Sequence, residues 1–408
     1  MKESLHAPQA GDSLRRRVPL LTSAAFLCGL GVFRFSLPSA KRQNLTTPSS
    51  PRQRAEDAEK AYQTHSFGAG RNGSRTILLA SMRNAALFYN PLSGRQHHRR
   101  LRDIDSVLTV LRSSGIELVS APTEGGNRTG EQVRQALAEG RDTIFACGGD
   151  GTIHDIAQGL AGSPAALGII PLGTANALAH DLGLPLSPVA AARAALTAEP
   201  RQIAAGRIEY QAFSRQTASR LFLAAAGVGV DAHLFYKLDA FSKGRFGMAS
   251  YYGKATHLWL THKMAPFSVE TVDTSGNAKA QCADVTQLLA VRIRDFGGIV
   301  RELAPGASLQ REDLCLVLFR TRNRMKYLAW ILRGLLRTKW EVGGVEVRSA
   351  AAVTCAYAAS VAQQDQRIYV EADGELLGTL PAKISIVPDA LTLLVPKTDP
   401  GTGMRARS

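Results

Sequence analysis

From Ala85 onward the apolar positions alternate between two periods. Ala85 to Tyr89 is a continuous apolar run and predicts a short buried strand, whereas Leu101, Ile104, Val107, Leu108 and Leu111 recur at three- and four-residue spacing and predict one face of a helix. The same alternation follows downstream. Ile116–Ser120 reads as a strand, the turn Thr123–Arg128 leads to a helix carrying Val133, Ala136 and Leu137, and Thr143–Cys147 is a second buried strand. A helix over Ile153–Leu160, a strand over Ala166–Ile170 and an alanine-rich helix over Pro188–Thr197 complete the series. Strands alternating with helices predict a parallel sheet covered on both faces.

After about Gly206 the texture changes. Short β-rich runs dominate: Leu221–Ala225, Gln287–Ile293, Leu314–Arg320, Val345–Tyr357, Arg367–Val370, Leu376–Leu380 and Ala382–Val387. They predict a second domain built on antiparallel strands, and a chain of 408 residues is long enough for two cores.

Two glycine turns carry the candidate chemistry. The strand ending at Cys147 runs into Gly148-Gly149-Asp150-Gly151-Thr152, and the strand ending near Pro171 runs into Gly173-Thr174-Ala175-Asn176. Glycines let backbone N–H groups approach anionic oxygens, and the N-terminus of a following helix adds partial positive charge, so both turns suit phosphate. Neither matches the dinucleotide fingerprint or the Walker A loop. Gly-Gly-Asp-Gly taken alone also reads as an ordinary tight turn. Two such turns at the carboxyl ends of neighbouring strands would face one crevice, where open α/β sheets bind ligands.

Together these motifs resemble the diacylglycerol kinase catalytic-domain family, which includes bacterial lipid kinases and sphingosine and ceramide kinases. Asn90-Pro91-Leu92-Ser93-Gly94 after the first strand, Phe222–Ala232 as a second-domain strand and Glu371-Ala372-Asp373-Gly374-Glu375 as the catalytic turn extend the resemblance over about residues 84–397. It implies an α/β nucleotide-binding domain over 82–205, a β-rich lipid-substrate domain over 206–388, a strand over 389–397 returning to the first domain, and a tail over 398–408. It also implies an ATP-dependent phosphoryl transfer to a lipid hydroxyl, with Mg²⁺. Gly148, Gly149, Gly151 and Thr152 would then hold nucleotide phosphates, with Gly173, Thr174 and Asn176 completing the wall and Asn90, Ser93 and Thr123 touching the nucleotide. A carboxylate inside a phosphate cradle repels a triphosphate unless it engages a cation, so Asp150 is expected to bind metal or to belong to a water network around it. Glu375 is the expected general base, with Asp373 supporting it or binding metal. Asp373-Gly374 is equally a hairpin signal, and a hairpin tip is a rigid mount for Glu375.

Several positions depart from the family pattern. Ala177 and Ala204 stand where acidic members of the magnesium network are usual, and the strand end reads Arg292-Ile293-Arg294-Asp295-Phe296-Gly297-Gly298. A structural magnesium loop maps near Arg311, Glu312 and Leu314. An NAD kinase shares Gly-Gly-Asp-Gly but not the second turn or the terminal Asp-Gly-Glu. A third reading is an inactive basic membrane- or nucleic-acid-binding protein on the same scaffold.

The net charge of +15 points to an anionic partner. Residues 1–81 hold twelve Lys/Arg against five Asp/Glu, and the body's surplus concentrates between Arg320 and Trp340. There Tyr327, Leu328, Trp330, Ile331 and Leu335 recur at helical spacing among arginines, as in helices that lie on acidic membranes or, equally, pack on a sheet. The expected partners are therefore a lipid acceptor and an anionic membrane surface, with a homodimer possible and no nucleic acid. The five cysteines are scattered and the nine histidines lack metal spacing; His154 and His180, near the glycine turns, read as helix-surface residues. A reducing cytoplasm with peripheral membrane association fits best. The apolar run Val18–Phe33 is short for a span of ~20 residues. Residues 1–81 therefore read as an extension, disordered or mistranslated, upstream of a catalytic region beginning near Met82.

Overall fold

Four parallel strands form one end of the sheet: β1 (Asn84–Tyr89), β2 (Glu117–Pro122), β3 (Thr143–Gly148) and β4 (Ala166–Pro171), in the order β2-β1-β3-β4. The computed structural model describes residues 82–91, 97–230, 232, 264–276, 278–297, 302–336, 338–358 and 367–397. Residues 1–81, with the apolar run Val18–Phe33, and the tail 398–408 lie outside the described residues, as do Ser93, Asp231, Gly298 and Arg337. All six residues of β3 are buried, which is why it reads as an uninterrupted apolar run. Strand side chains alternate between faces. Ala85 and Leu87 meet Ile104, Val107 and Leu111 of α1 (His97–Ser113) and Ala192 and Ala195 of α5 (Pro188–Ala195). Ala86 and Phe88 point the other way, into a core shared with Val133 of α2 (Asn127–Ala138) and with Ile153, Ile156 and Leu160 of α3 (Asp150–Leu160). Leu101, expected on the apolar face of α1, is exposed.

The remaining strands are antiparallel: β6 (Thr217–Phe222), β7 (Ala225–Gly229), β8 (Phe267–Val272), β9 (Ala278–Val285), β10 (Gln287–Val291), β11 (Leu314–Phe319), β12 (Val345–Ala350), β13 (Ala352–Tyr357) and β14 (Tyr369–Ala372). Two long strands tie them to the parallel part. β5 (Glu199–Ala212) and β15 (Glu375–Val395) pair antiparallel along most of their length, and β15 also joins β4 in parallel through Thr392 and Leu393. The segments expected as separate strands at Leu376–Leu380, Ala382–Val387 and Leu391–Val395 are thus one strand, with register shifts at Thr379/Ala382 and Val387/Leu391. Positions 205/206 and 388/389 fall inside β5 and β15, with no linker at either.

The expected strand Leu221–Ala225 is interrupted at Leu223-Ala224. The backbone N–H groups of Leu223, Ala224 and Ala225 turn to a side-chain carboxylate instead of a neighbouring strand. The Val345–Tyr357 run divides at Ala351, whose N–H donates to Val272, because β12 pairs with β11 and β13 with β8 and β15. Among the described residues no helix is long and apolar enough to cross a membrane.

The two glycine turns pack on each other. A Cβ on Gly173 would lie 2.5 Å from the Cα of Gly149, a backbone contact that no rotamer change relieves, and a Cβ on Gly148 would lie 2.6 Å from Thr152. Gly173→Ala is expected to destabilise the fold by about 1–3 kcal/mol, the usual range for overpacking. Urea unfolding measures it, and an unchanged midpoint would show that the turns are not held in contact.

Candidate functional site

Because β1 to β4 are parallel and in register, their carboxyl ends share one edge, and every described phosphate-site candidate lies there. Asn90 follows β1, Thr123 follows β2, Gly148 to Thr152 span the β3–α3 turn, and Gly173, Thr174 and Asn176 follow β4. Helix α3 starts at Asp150, three residues earlier than its apolar period predicts, with Gly149 as its N-cap. The first amides of an α-helix have no intrahelical acceptor, so the turn presents N–H groups and the positive end of the helix dipole to the crevice. Asn90 Nδ2 donates to Thr152 Oγ1 at 3.4 Å, linking the first loop to the third. Asn176 is the N-cap of the short helix α4 (Ala177–Asp181) and adopts φ 49°, in the left-handed region that Asn tolerates. Its Oδ1 accepts from Gly173 N–H at 2.9 Å and its Nδ2 donates to Gly173 carbonyl at 3.1 Å, so its side chain closes its own turn. Thr174 is exposed at the tip.

Asp150 keeps part of its surface open while its carboxylate is enclosed. Burial, reinforced by repulsion from Asp373 and opposed by the N–H groups of Leu178 and Ala177, raises its pKa to about 6. Among the described residues no basic side chain forms an ion pair with it. An enclosed carboxylate beside a second carboxylate is an arrangement that a cation would stabilise, so Asp150 fits a role in holding Mg²⁺. Ala177 and Ala204 add no ligand, and no cluster of three metal-binding side chains occurs among the described residues.

Asp373 is neither exposed nor open. It sits at the β14–β15 hairpin tip with φ 46°, buried, and its two oxygens accept from Leu223, Ala224 and Ala225 N–H at 2.8, 2.8 and 3.0 Å. His154 Nδ1 lies 2.7 Å from its Oδ2. Burial alone would raise this carboxyl, but His154 and the backbone donors more than offset it and the pKa is lowered. These contacts make Asp373 the anchor of the hairpin. His154, expected on a helix surface, is only 4% exposed. It stands four residues after Asp150 and so on the same face of α3, the one signal in the sequence that could have placed it here. Glu375, two residues beyond Asp373, has a side chain 44% exposed and pairs with Arg220 Nη2 at 2.7 Å. Arg220 and Asp155, also unforeseen, complete the cluster with an ion pair at 3.2 Å.

Arg311, Glu312 and Leu314 do not come together as a metal loop. Arg311 pairs with Asp313 through both Nε and Nη2, Glu312 is exposed, and Leu314 begins β11 opposite Ala350. The fully buried Arg292 donates from Nη1 to the Asp313 carbonyl at 2.6 Å and from Nη2 to the Ala204 and Leu309 carbonyls at 3.0 and 3.2 Å. Burial depresses its pKa to about 10, which leaves it charged near neutrality. The Leu309 and Asp313 carbonyls of this loop already face the Arg292 guanidinium and the Asp313 carboxylate faces Arg311, so a magnesium ion does not fit this loop. Gly297 (φ 71°) lies against His180, and Asp181 Oδ1 accepts from Arg294 and Asp295 N–H at 2.7 and 2.9 Å, docking α4 to the segment after β10.

The Asp150 shift has a pH consequence. A carboxyl whose folded pKa is raised from 3.8 to about 6 contributes stability below the lower value and loses it as the pH rises through the upper one. In metal-free buffer Asp150→Asn, neutral throughout, is expected to be more stable than the parent at pH 8, by on the order of 2 kcal/mol. That advantage should shrink by about half at pH 5. Urea unfolding across that range tests it, and a pH-independent difference would refute it.

Comparison with known proteins places most of the chain in one lineage. Residues 84–208 match the diacylglycerol kinase catalytic domain, and residues 224–395 match the YegS C-terminal NAD kinase beta sandwich-like domain. Among curated relatives, a diacylglycerol kinase of Bacillus subtilis is 30% identical over 251 residues, covering 60% of this chain and 77% of the relative. One from Mycobacterium tuberculosis is 28% identical over 309 residues, covering 76% and 94%. A putative diacylglycerol kinase from Bacillus anthracis, 20% identical, shares the fold with a TM-score of 0.59 over 79% of this chain and 98% of its own. With the glycine turns, the Asp-Gly-Glu hairpin and both domain matches in chain order, this protein belongs to the diacylglycerol kinase family.

Proposed function

We propose that this protein is a lipid kinase that transfers the γ-phosphoryl group of ATP to the hydroxyl of a lipid such as diacylglycerol or a sphingoid base. The observation that carries the reading is the lock between the two halves of the chemistry. The helix whose N-terminus forms the phosphate turn, α3, is joined through His154 to the hairpin that bears Glu375. Phosphoryl transfer needs a phosphate cradle, a cation, and a group that takes the proton of the attacking hydroxyl. The amides of the Gly148–Thr152 and Gly173–Asn176 turns orient the donor phosphates. Bound Mg²⁺ would neutralise developing charge, and Asp150 is the residue that would hold it. Glu375 takes the hydroxyl proton as the lipid oxygen bonds to the γ-phosphorus and the bond to the bridging oxygen breaks, releasing ADP.

Transfer would occur at an anionic membrane surface, with helix α6 (Arg324–Leu336) as the contact. The face expected from the sequence is divided. Tyr327, Trp330 and Gly334 are buried; Tyr327 stacks on Phe319 at 4.4 Å, and Trp330 Nε1 donates to the Leu303 carbonyl at 3.2 Å. Met325, Leu332, Leu335 and Leu336 form a second apolar stripe, with Met325 67% and Leu336 54% exposed. Trp340 is exposed beyond the helix end, and Arg320, Arg322, Arg324 and Lys339 lie along the same segment. Arg333 is partly used internally, stacking on Trp330 at 4.5 Å and donating to the Trp340 carbonyl. An exposed apolar stripe edged by cations is the pattern of a helix at a lipid interface.

Radiolabelled ATP with a panel of lipid acceptors in mixed micelles tests the reaction, and no transfer to any of them would refute it. Glu375→Gln is expected to lower kcat by ~10²-fold or more with nucleotide affinity retained, as for loss of a general base. A loss confined to the KM for ATP would move Glu375 to the nucleotide site. Asp150→Asn should abolish transfer in a folded protein, and near-normal turnover would remove it from the metal role.

A chain beginning at Met82 should still bind anionic vesicles and release them at 1 M salt, where the screening length falls to ~3 Å. Replacing Leu332 and Leu336 by Ser should weaken vesicle binding at least ~10-fold, from the apolar area withdrawn from lipid, and leave thermal stability unchanged. Undiminished binding would place the contact elsewhere.

A further inference from the structure

Arg220, in β6, is unusual in how completely its guanidinium is used. Its side chain is 12% exposed and reaches two separate elements, α3 and β15. Nε donates to His154 Nε2 at 2.8 Å, and Nη2 contacts both Asp155 Oδ1 at 3.2 Å and Glu375 Oε2 at 2.7 Å. Gln158 Nε2 also lies 3.1 Å from His154 Nε2. Arginine can only donate, so His154 Nε2 must be the acceptor and its proton is assigned to Nδ1, facing Asp373. One planar group therefore fixes the tautomer of the histidine that anchors the hairpin tip and the direction of the carboxylate that follows it. A lysine, with a point charge on a flexible stem, could not hold both at once.

We propose that Arg220 is the positioning residue for the proton acceptor: it binds Glu375 through Oε2 and so presents Oε1 to the lipid hydroxyl. This rests on the reading of Glu375 as general base. In the transfer step the hydroxyl proton passes to Oε1 while Oε2 stays on the guanidinium, so the carboxyl group turns neutral without losing its orientation. The role assigned to Arg220 includes no contact with nucleotide or lipid. Its effect on rate passes through the aim of Glu375, because misplacement of a reacting group by even an ångström is costly.

The experiment is a double-mutant cycle on the full chain with Arg220→Lys and Glu375→Gln, reading kcat and the KM for ATP with diacylglycerol micelles as acceptor. Arg220→Lys alone should lower kcat about 30-fold and leave the KM for ATP within about twofold. In the Glu375→Gln background the same change should lower kcat by less than about threefold, because no base remains to be aimed. Arg220→Ala should regain turnover with added guanidinium and not with sodium at equal ionic strength, a readout that also serves if the lysine variant folds poorly. Losses that multiply across the cycle, a change confined to KM, or absence of guanidinium rescue would overturn the role of Arg220. Full kcat in Glu375→Gln alone would instead overturn the general-base reading, and the proposal with it.

Discussion

The carboxylate of Asp373 is the contact on which the rest of the site depends. A buried carboxylate costs several kcal/mol unless hydrogen bonds replace its water. Here three successive backbone amides, Leu223 to Ala225, and the imidazole of His154 supply them. The same four bonds interrupt the chain between β6 and β7, hold a non-glycine residue at positive φ, and tie the hairpin to α3. A nest of amides around one anion is normally a ligand-binding device. In this protein the anion belongs to the chain itself, and the device serves to place the carboxylate two residues on, Glu375.

Charge is distributed around this anchor with little surplus. Asp155 and Glu375 pair with one guanidinium, Arg220, which reaches Asp373 only through His154, while Asp150 lies beside Asp373. Asp155 and Glu375 share it and Asp373 is satisfied by amides, which leaves Asp150 as the member whose charge is opposed by burial and by its neighbour. Under the proposed function, that imbalance is why Asp150 would be the residue to hold a cation. The opposite solution appears at the Leu309–Leu314 loop. There the fully buried Arg292 takes the Leu309 and Asp313 carbonyls and Arg311 takes the Asp313 carboxylate, so the chain supplies the positive charge itself.

What could be read from the sequence was local. The parallel strands, their helices and the two glycine turns each depend on fewer than about twenty consecutive residues, and apolar period and turn chemistry report on that range. The partners of Asp373 are about 150 to 220 positions away in the chain, and Arg220 lies 66 residues from His154, distances over which periodicity is silent. The unity of β15 was hidden because Pro381, Pro388 and Asp389 look like breaks, whereas register shifts against β5 absorb them. On α6 the sequence holds two apolar stripes, and only tertiary packing decides that Tyr327 and Trp330 face inward while Leu332 and Leu336 do not. Arg292 reads as the polar end of a strand until its three carbonyl partners are seen.

The continuity of β5 and β15 bears on how the crevice can open. Proteins that clamp a substrate between halves usually rotate about a few flexible linker residues, and here the parallel and antiparallel parts share two hydrogen-bonded strands with no linker between them. Any widening must be elastic, spread as twist along the ribbon and greatest at the register shifts near Thr379 and Val387, where the ladder is already interrupted. Such a spring resists large excursions and returns unaided. Under the proposed function, the reacting groups would be held near their working separation throughout the cycle, and a lipid chain would enter from the rim rather than through a gaping mouth.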